Sequence, residues 1–204
     1  MSILKLEGKL MASNFYSILF KMKYIDRWML MKNMRSESLS EHTLETAYIA
    51  HALCVISNRR CNTKLNAAQA AVLALFHDAQ EVLTGDLPTP IKYYNSQIKD
   101  AYSKIEKEAT RRMVSMLPED LHSDFQDIFC SQNKELLKIV KAADKISALI
   151  KCDDELRMGN EEFRVAREST RKAIEKMGLE CVDIFMEEFL PGFSLSLDEQ
   201  GLRF

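Results

Sequence analysis

The chain is poor in residues that interrupt helices: of 204 positions, only 6 are glycine and 4 are proline. Runs of β-branched residues are scarce as well, whereas Leu, Met, Ala, Lys and Glu abound, a composition that favours helices over sheets. No apolar run approaches the roughly 18 residues that a membrane-spanning helix needs, and no N-terminal stretch has the pattern of a secretion signal. A cytoplasmic location without a membrane partner is therefore expected. Excess charge of one sign is missing too. A net charge of −2 offers no electrostatic footprint for a nucleic-acid polymer. The cysteines Cys54, Cys61, Cys130, Cys152 and Cys181 are odd in number, scattered and without a CxxC pair, and read as reduced structural thiols.

No repeat, low-complexity block or linker divides the sequence. Its length suits one all-α domain over 1–204, with a core over about 12–190 and a C-terminal tail over 191–204. Residues 1–10 read as a loosely held start. The spacing of Phe15, Ile18, Leu19 and Met22 predicts a helix over about 12–25. Ser38 and Glu41 match a capping box that opens a helix over about 40–58. Asn66 is placed to cap a central helix that Gly85 ends. The loop Thr84–Pro90 carries Pro88 and Pro90 and is expected to be stiff and non-helical. Further helices are expected over about 95–116, 118–129, 133–158, 161–177 and 180–190, followed by an extended, packed tail with Phe193, Leu195 and Leu197 at period two.

The central stretch AVLALFHDAQEVL, residues 71–83, has the apolar residues of a buried helix, yet it carries His77, Asp78 and Glu81. Burying an uncompensated carboxylate costs several kcal/mol or forces it to take up a proton. Such groups need partners, and a bound cation satisfies all of them together. Successive helical residues project about 100° apart. His77 and Asp78 therefore flank one point at an angle that suits adjacent ligands of an octahedral ion. Glu81, one turn beyond His77, leans over the same place.

Only four histidines are present. His42 begins the helix before the central one. His51, nine residues on, lies about 180° around that helix and cannot share its site. His51, within YIAHAL, reads as a packed or hydrogen-bonded structural residue, and His122, within DLHSD, as a surface residue. Asp144 shares a helix face with Leu137, Val140, Ala143 and Ser147. A carboxylate in an apolar stripe is either a ligand or one half of a buried salt bridge.

Taken together, His42, the pair His77-Asp78 and Asp144 stand on three separate expected helices, at intervals of 35 and 66 residues. This ordered set resembles the ligand set of the HD-domain metal-dependent phosphohydrolases. Further stretches extend the likeness: Arg27-Trp28, Ser40-Glu41-His42, HDAQEVLTGDLPTP from His77 to Pro90, Lys92-Tyr93, and FSLSLDE from Phe193 to Glu199. They are similar to the bacterial 5′-deoxynucleotidase branch of that superfamily, the YfbR type. Gln80 departs from that pattern, where serine is usual, and projects away from His77 and Glu81. Lys145, after Asp144, is a pairing common elsewhere among HD proteins.

The resemblance implies an HD-domain helical bundle that hydrolyses 2′-deoxyribonucleoside 5′-monophosphates to deoxynucleosides and phosphate by a metal-activated water. It implies one ion held by His42, His77, Asp78 and Asp144, catalysis by Glu81 and Asp86, substrate contacts from Arg27, Trp28 and Lys92, and a homodimer. Two imidazoles and two carboxylates suit Co, Mn, Fe, Ni or Zn rather than calcium or magnesium. Arg27 is a natural phosphate clamp. Trp28 is the single tryptophan; it reads as lying on the sugar or base, or as packing in the core, with its adjacency to Arg27 favouring a substrate role. A bulky ring against the sugar would explain the discrimination against a 2′-hydroxyl that the resemblance implies. Two alternatives stay open: another HD-type phosphatase or phosphodiesterase, and a non-catalytic, metal-stabilised helical regulator.

Overall fold

A computed structural model of the chain describes residues 12–92 and 94–201. The loosely held start expected over 1–10, and Tyr93 of the Lys92-Tyr93 pair, lie outside the described residues. Among the described residues ten α-helices follow in order: α1 Phe15–Leu19, α2 Leu39–Arg60, α3 Ala67–Phe76, α4 Glu81–Thr84, α5 Thr89–Lys92, α6 Ser96–Val114, α7 His122–Phe129, α8 Lys134–Arg157, α9 Arg164–Glu175 and α10 Glu180–Glu188. Among the described residues there is no strand, and the one extended pairing is an isolated antiparallel bridge between Asp26 and Ser38. The fold is all-α.

Local chemistry sets the helix starts. Ser38 Oγ accepts the Glu41 N–H at 3.2 Å while the Glu41 carboxylate accepts the Ser38 N–H at 2.8 Å, a complete capping box for α2. Asn66 caps α3 by accepting the Gln69 N–H at 3.0 Å. Gly85 ends α4 at φ 77°, a backbone conformation that L side chains rarely adopt.

Helices α2, α3 and α8 pack against one another, with α9 on α8 and α10 on α2. Their shared core is rich in small residues: Ala47 and Ala50 on α2, Ala70 and Ala74 on α3, Ala142 and Ala143 on α8. Interaxial distance depends on the side chains at the contact, so alanines let the three backbones approach closely. His42, the turn after α3, and Asp144 come together for that reason. A second core gathers Phe15, Met22, Leu39, Ala79, Met113 and Leu117, against which Phe76, Phe125 and Phe129 pack. Phe125 meets Phe15 edge-on, with ring centroids 4.9 Å apart. Leu53, fully buried between α2 and its neighbours, is expected to cost roughly 2–5 kcal/mol when cut to alanine; urea unfolding followed by circular dichroism checks this.

Four expectations need correction. The first helix is α only from Phe15 to Leu19 and tightens to a 3₁₀ turn over Phe20–Tyr24. The central helix is broken: α3 stops at Phe76, and His77–Gln80 form turns before α4 begins. The loop after Gly85 contains one helical turn, α5, with Pro90 at its second residue, a place where the missing proline N–H costs nothing. The tail is not extended but turns as a 3₁₀ helix over Leu190–Ser194, and Phe193 and Leu195 stay about half exposed.

Candidate active site

The break after α3 has a local cause. In a continuing α-helix the Asp78 N–H would bond to the Ala74 carbonyl. That oxygen instead accepts His77 Nδ1 at 2.6 Å, together with the His77 backbone N–H at 3.4 Å. The following bonds shift to three-residue spacing, Ala79 N to Phe76 O at 3.2 Å and Glu81 N to Asp78 O at 2.9 Å. The imidazole thus unwinds its own helix and fixes its own tautomer. With Nδ1–H donating to a carbonyl, Nε2 is left as the lone-pair atom, aimed inward.

His42 obeys the same logic on α2. It is fully buried. Its Nδ1 lies 3.1 Å from Ser147 Oγ, and that hydroxyl donates its own proton to Glu45 Oε2 at 3.3 Å. Ser147 must therefore accept from His42, which again turns an Nε2 lone pair inward. Burial, then the nearby Arg27, push the His42 pKa down and keep the ring neutral.

Both lone pairs face carboxylates. His42 Nε2 is 3.1 Å from Asp144 Oδ1 and 3.8 Å from Asp78 Oδ2; His77 Nε2 is 3.0 Å from Asp78 Oδ2 and 4.0 Å from Asp144 Oδ1. One donor atom from each of the four residues lies within 4.8 Å of the others. Protein groups alone leave this as four acceptors facing each other, an arrangement that a central cation satisfies. Without one, a proton must serve. Burial opposes charging His77, but the Asp78 carboxylate outweighs it and pushes that ring up to about 9. Burial likewise raises Asp78, and the facing His77 more than reverses this, so the net shift is downward.

Around the cluster stand the remaining candidates. Arg27 Nη1 is 3.7 Å from Asp78 Oδ2 and its Nε is 3.5 Å from Glu37 Oε2. Trp28 donates its indole N–H to Glu37 Oε2 at 2.8 Å and rests against Phe163, with ring centroids 5.3 Å apart. Glu81 is buried, its Oε2 has no hydrogen-bond partner, and burial followed by Asp78 and Asp86 pushes its pKa up to about 9. Asp86, on the loop after Gly85, is also raised, mainly by burial. Lys92 Nζ bonds Glu106 at 2.7 Å, lies 4.0 Å from Glu81 Oε1, and sits over the Tyr102 ring at 5.1 Å. Seven buried side-chain polar atoms lack a hydrogen-bond partner among the described residues. Four of them, Arg27 Nε, Glu37 Oε1, His77 Nε2 and Glu81 Oε2, lie here, and such orphans in a native fold mark places built to meet something else.

All nine residues expected at the site thus come from one region. The other two histidines behave differently from expectation. His51 is exposed rather than packed, and His122 is partly buried, with Nε2 bonded to the Leu117 carbonyl at 2.9 Å. Sequence reasoning missed Glu37, Ser147, Lys151 and Glu155. The last three had a signal: with Asp144 they are spaced three, four and four residues apart, a polar stripe along one side of α8. Glu37, nine residues from Trp28 in an irregular loop, had none.

Comparison with known proteins agrees with this picture. A family model described as 5′-deoxynucleotidase YfbR-like matches residues 14–193. The chain is 47% identical over 192 residues to the 5′-deoxynucleotidase yfbR of Photorhabdus temperata, covering 93% of this chain and 98% of that one. It is 49% identical over 189 residues to the 5′-deoxynucleotidase YfbR of Salmonella typhi, covering 92% and 95%. Among solved structures, an HD-domain phosphohydrolase from Listeria innocua superposes with a TM-score of 0.78 at 21% identity, covering 92% of each chain. The cyanophage S-2L HD phosphohydrolase DatZ, solved with dA and one catalytic Zn²⁺ ion bound, superposes with a TM-score of 0.63 at 16% identity, covering 87% and 95%. At those identities the two structures show a shared fold.

Proposed function

We propose, from the premise that this chain belongs to the 5′-deoxynucleotidase YfbR-like family, that it hydrolyses 2′-deoxyribonucleoside 5′-monophosphates to deoxynucleosides and inorganic phosphate. The observation that carries this reading is the four-residue cluster with its two inward lone pairs, set beside an arginine fork that is only 12% exposed. His42, His77, Asp78 and Asp144 would hold one divalent transition-metal ion from the set Co, Mn, Fe, Ni and Zn, in keeping with two imidazole nitrogens and two carboxylate oxygens. Such an ion supplies Lewis acidity at phosphorus and makes a water easier to deprotonate.

The rest of the reaction falls to side chains. Arg27 receives the phosphate, since a guanidinium presents paired donors to two oxygens at once. Glu37 and Asp78 lie within ion-pair distance of its Nε and Nη1 and help to hold the group in place. Trp28 lies beside it for the sugar. As the water oxygen joins phosphorus, the bond from phosphorus to the nucleoside 5′ oxygen breaks. The water gives up a proton and the leaving oxygen gains one. Glu81 and Asp86, both close to the cluster and without an ion pair inside 3.5 Å among the described residues, carry these transfers. Lys92, at the end of α5 and bonded to Glu106 of α6, lies 4.0 Å from Glu81 and adds positive charge near the phosphate.

Further expectations follow from the resemblance. No helix among the described residues is long and apolar enough to cross a membrane, and the five cysteines are unpaired, which supports a cytoplasmic enzyme. Tyr16, Phe20 and Tyr24 expose an apolar row that supports a homodimer contact.

The test is phosphate release from a panel of nucleotides with each metal added in turn. Deoxyribonucleoside 5′-monophosphates should react with little dependence on base, while ribonucleotides and 3′-monophosphates react poorly. Equal rates on AMP and dAMP would remove the deoxynucleotidase reading and leave a general HD phosphatase. Phosphodiester cleavage without monoester hydrolysis would point to a phosphodiesterase.

A further inference from the structure

Glu37 is 7% exposed and meets three groups of the site at once. Its Oε2 accepts the Trp28 indole N–H at 2.8 Å and lies 3.5 Å from Arg27 Nε, while Oε1 lies 3.8 Å from His42 Nδ1. Its backbone carbonyl accepts the Arg27 N–H at 2.9 Å, next to the Asp26–Ser38 bridge. Arg27 and Trp28 therefore stand on one side of the neck of a closed loop, and Glu37 on the other. Trp28 has φ 59°, a conformation that is strained for a non-glycine residue and persists only where the surroundings impose it.

Helix α8 anchors this loop. Glu155, fully buried, accepts the Met34 and Arg35 N–H groups at 2.9 and 3.1 Å and the Asn160 amide at 2.7 Å. Lys151 binds both Glu155 and the Arg35 carbonyl. Although burial raises it, these donors hold the Glu155 carboxyl at about 2. The helix that carries Asp144 thus also fixes where Glu37 stands relative to the cluster.

We propose that Glu37 is a positioning residue for substrate selection: it locks the Trp28 indole and the Arg27 guanidinium into one unit, so that the ring facing the sugar keeps a set distance from the fork facing the phosphate. Discrimination against a 2′-hydroxyl then depends on Glu37, although Glu37 itself is not in contact with the substrate. This rests on the deoxynucleotidase reading above. The physical reason is geometric. An indole has two free torsions, and one tilted contact with Phe163 leaves its orientation open; the N–H bond closes it. A ring that can swing aside accepts a larger sugar.

Because Trp28 is the single tryptophan, its fluorescence reports this lock directly in the metal-loaded enzyme without substrate. Glu37→Ala should shift the emission to the red and increase quenching by acrylamide. Glu37→Gln keeps an acceptor oxygen for the indole N–H and should recover most of the wild-type spectrum. In kinetics, Glu37→Ala should raise KM for dAMP by roughly ten- to a hundredfold, the fold-change of one lost charge-assisted hydrogen bond, and should narrow the dAMP-to-AMP ratio of kcat/KM. Glu37→Gln should restore that ratio. A merely structural role would lower the active fraction for both substrates equally and leave the ratio alone. Unchanged Trp28 emission and an unchanged ratio in Glu37→Ala would overturn the proposal, as would equal damage in both variants accompanied by loss of the metal. A wild-type enzyme without sugar preference would instead sink the deoxynucleotidase reading, and the fluorescence arm would still judge the lock.

Discussion

Stripped of its ion by a chelator, the enzyme is expected to release no phosphate from deoxyribonucleoside monophosphates, and to melt at a lower temperature by roughly 10 °C. The first half follows from the site: what remains are side chains that bind and move protons but do little to phosphorus themselves. The second follows from mass action. A ligand present at about a thousand times its Kd stabilises the folded state by roughly 4 kcal/mol, and each kcal/mol shifts the melting point of a domain of this size by about 2–4 °C. The apoprotein should stay folded, because a proton can take the ion's place at His77 Nε2, whose pKa is pushed up to about 9 by Asp78 against the effect of burial. Activity should therefore return when metal is restored. Proton and ion compete for the same lone pair, so affinity for the ion should weaken as pH falls. Asp144→Ala should reproduce the chelated state permanently. A fully active preparation shown by elemental analysis to hold no metal would end the proposal.

What could be read from sequence divides by the range of the interaction. The capping box of Ser38 and Glu41 and the Asn66 cap depend on residues three apart, and both form as expected. The facing of His42 and the opposition of His51 follow from helical period alone, and α2 buries one and exposes the other. The break at His77 was not legible, because nothing in a one-dimensional pattern shows that an imidazole will take the Ala74 carbonyl from the Asp78 N–H. It leaves the expected convergence of His77 and Asp78 in place but changes its origin, from a continuous helix to a tightened turn. Trp28 illustrates a partial reading. Its place beside Arg27 suggested substrate contact, yet its N–H bonds Glu37 and its ring packs at a tilt against Phe163. A tertiary loop closed at its neck by the Asp26–Ser38 bridge and anchored through Met34 and Arg35 on α8 sets that orientation, and periodicity carries no trace of it.

Replacing Glu81 should separate chemistry from binding. Glu81 is 4% exposed, its Oε2 has no hydrogen-bond partner among the described residues, and its Oε1 is 4.0 Å from Lys92 Nζ, so it lies outside the four-residue cluster and is poorly satisfied where it stands. A fold keeps such a group when the reaction needs it and pays in stability. Glu81→Ala is therefore expected to hold its metal and to bind nucleotide near normally through Arg27 and the ion. Turnover should fall roughly 10²–10⁴-fold, the usual cost of losing a proton-transfer group. Its stability should equal or exceed that of the wild type, a trade common at active sites. The pH dependence carries a sign. In the chelated protein burial, then Asp78 and Asp86, raise the folded pKa of Glu81 from 4.5 to about 9, so between those values the folded state binds the extra proton and the unfolded state does not. Stability should thus decline as pH rises through that window, and Glu81→Gln should flatten the decline. Metal content, nucleotide affinity, turnover and melting temperature measured on one preparation decide the matter. If turnover falls only in proportion to lost metal, Glu81 is a ligand or a support for one, and the proton transfers must be assigned to Asp86 and another group.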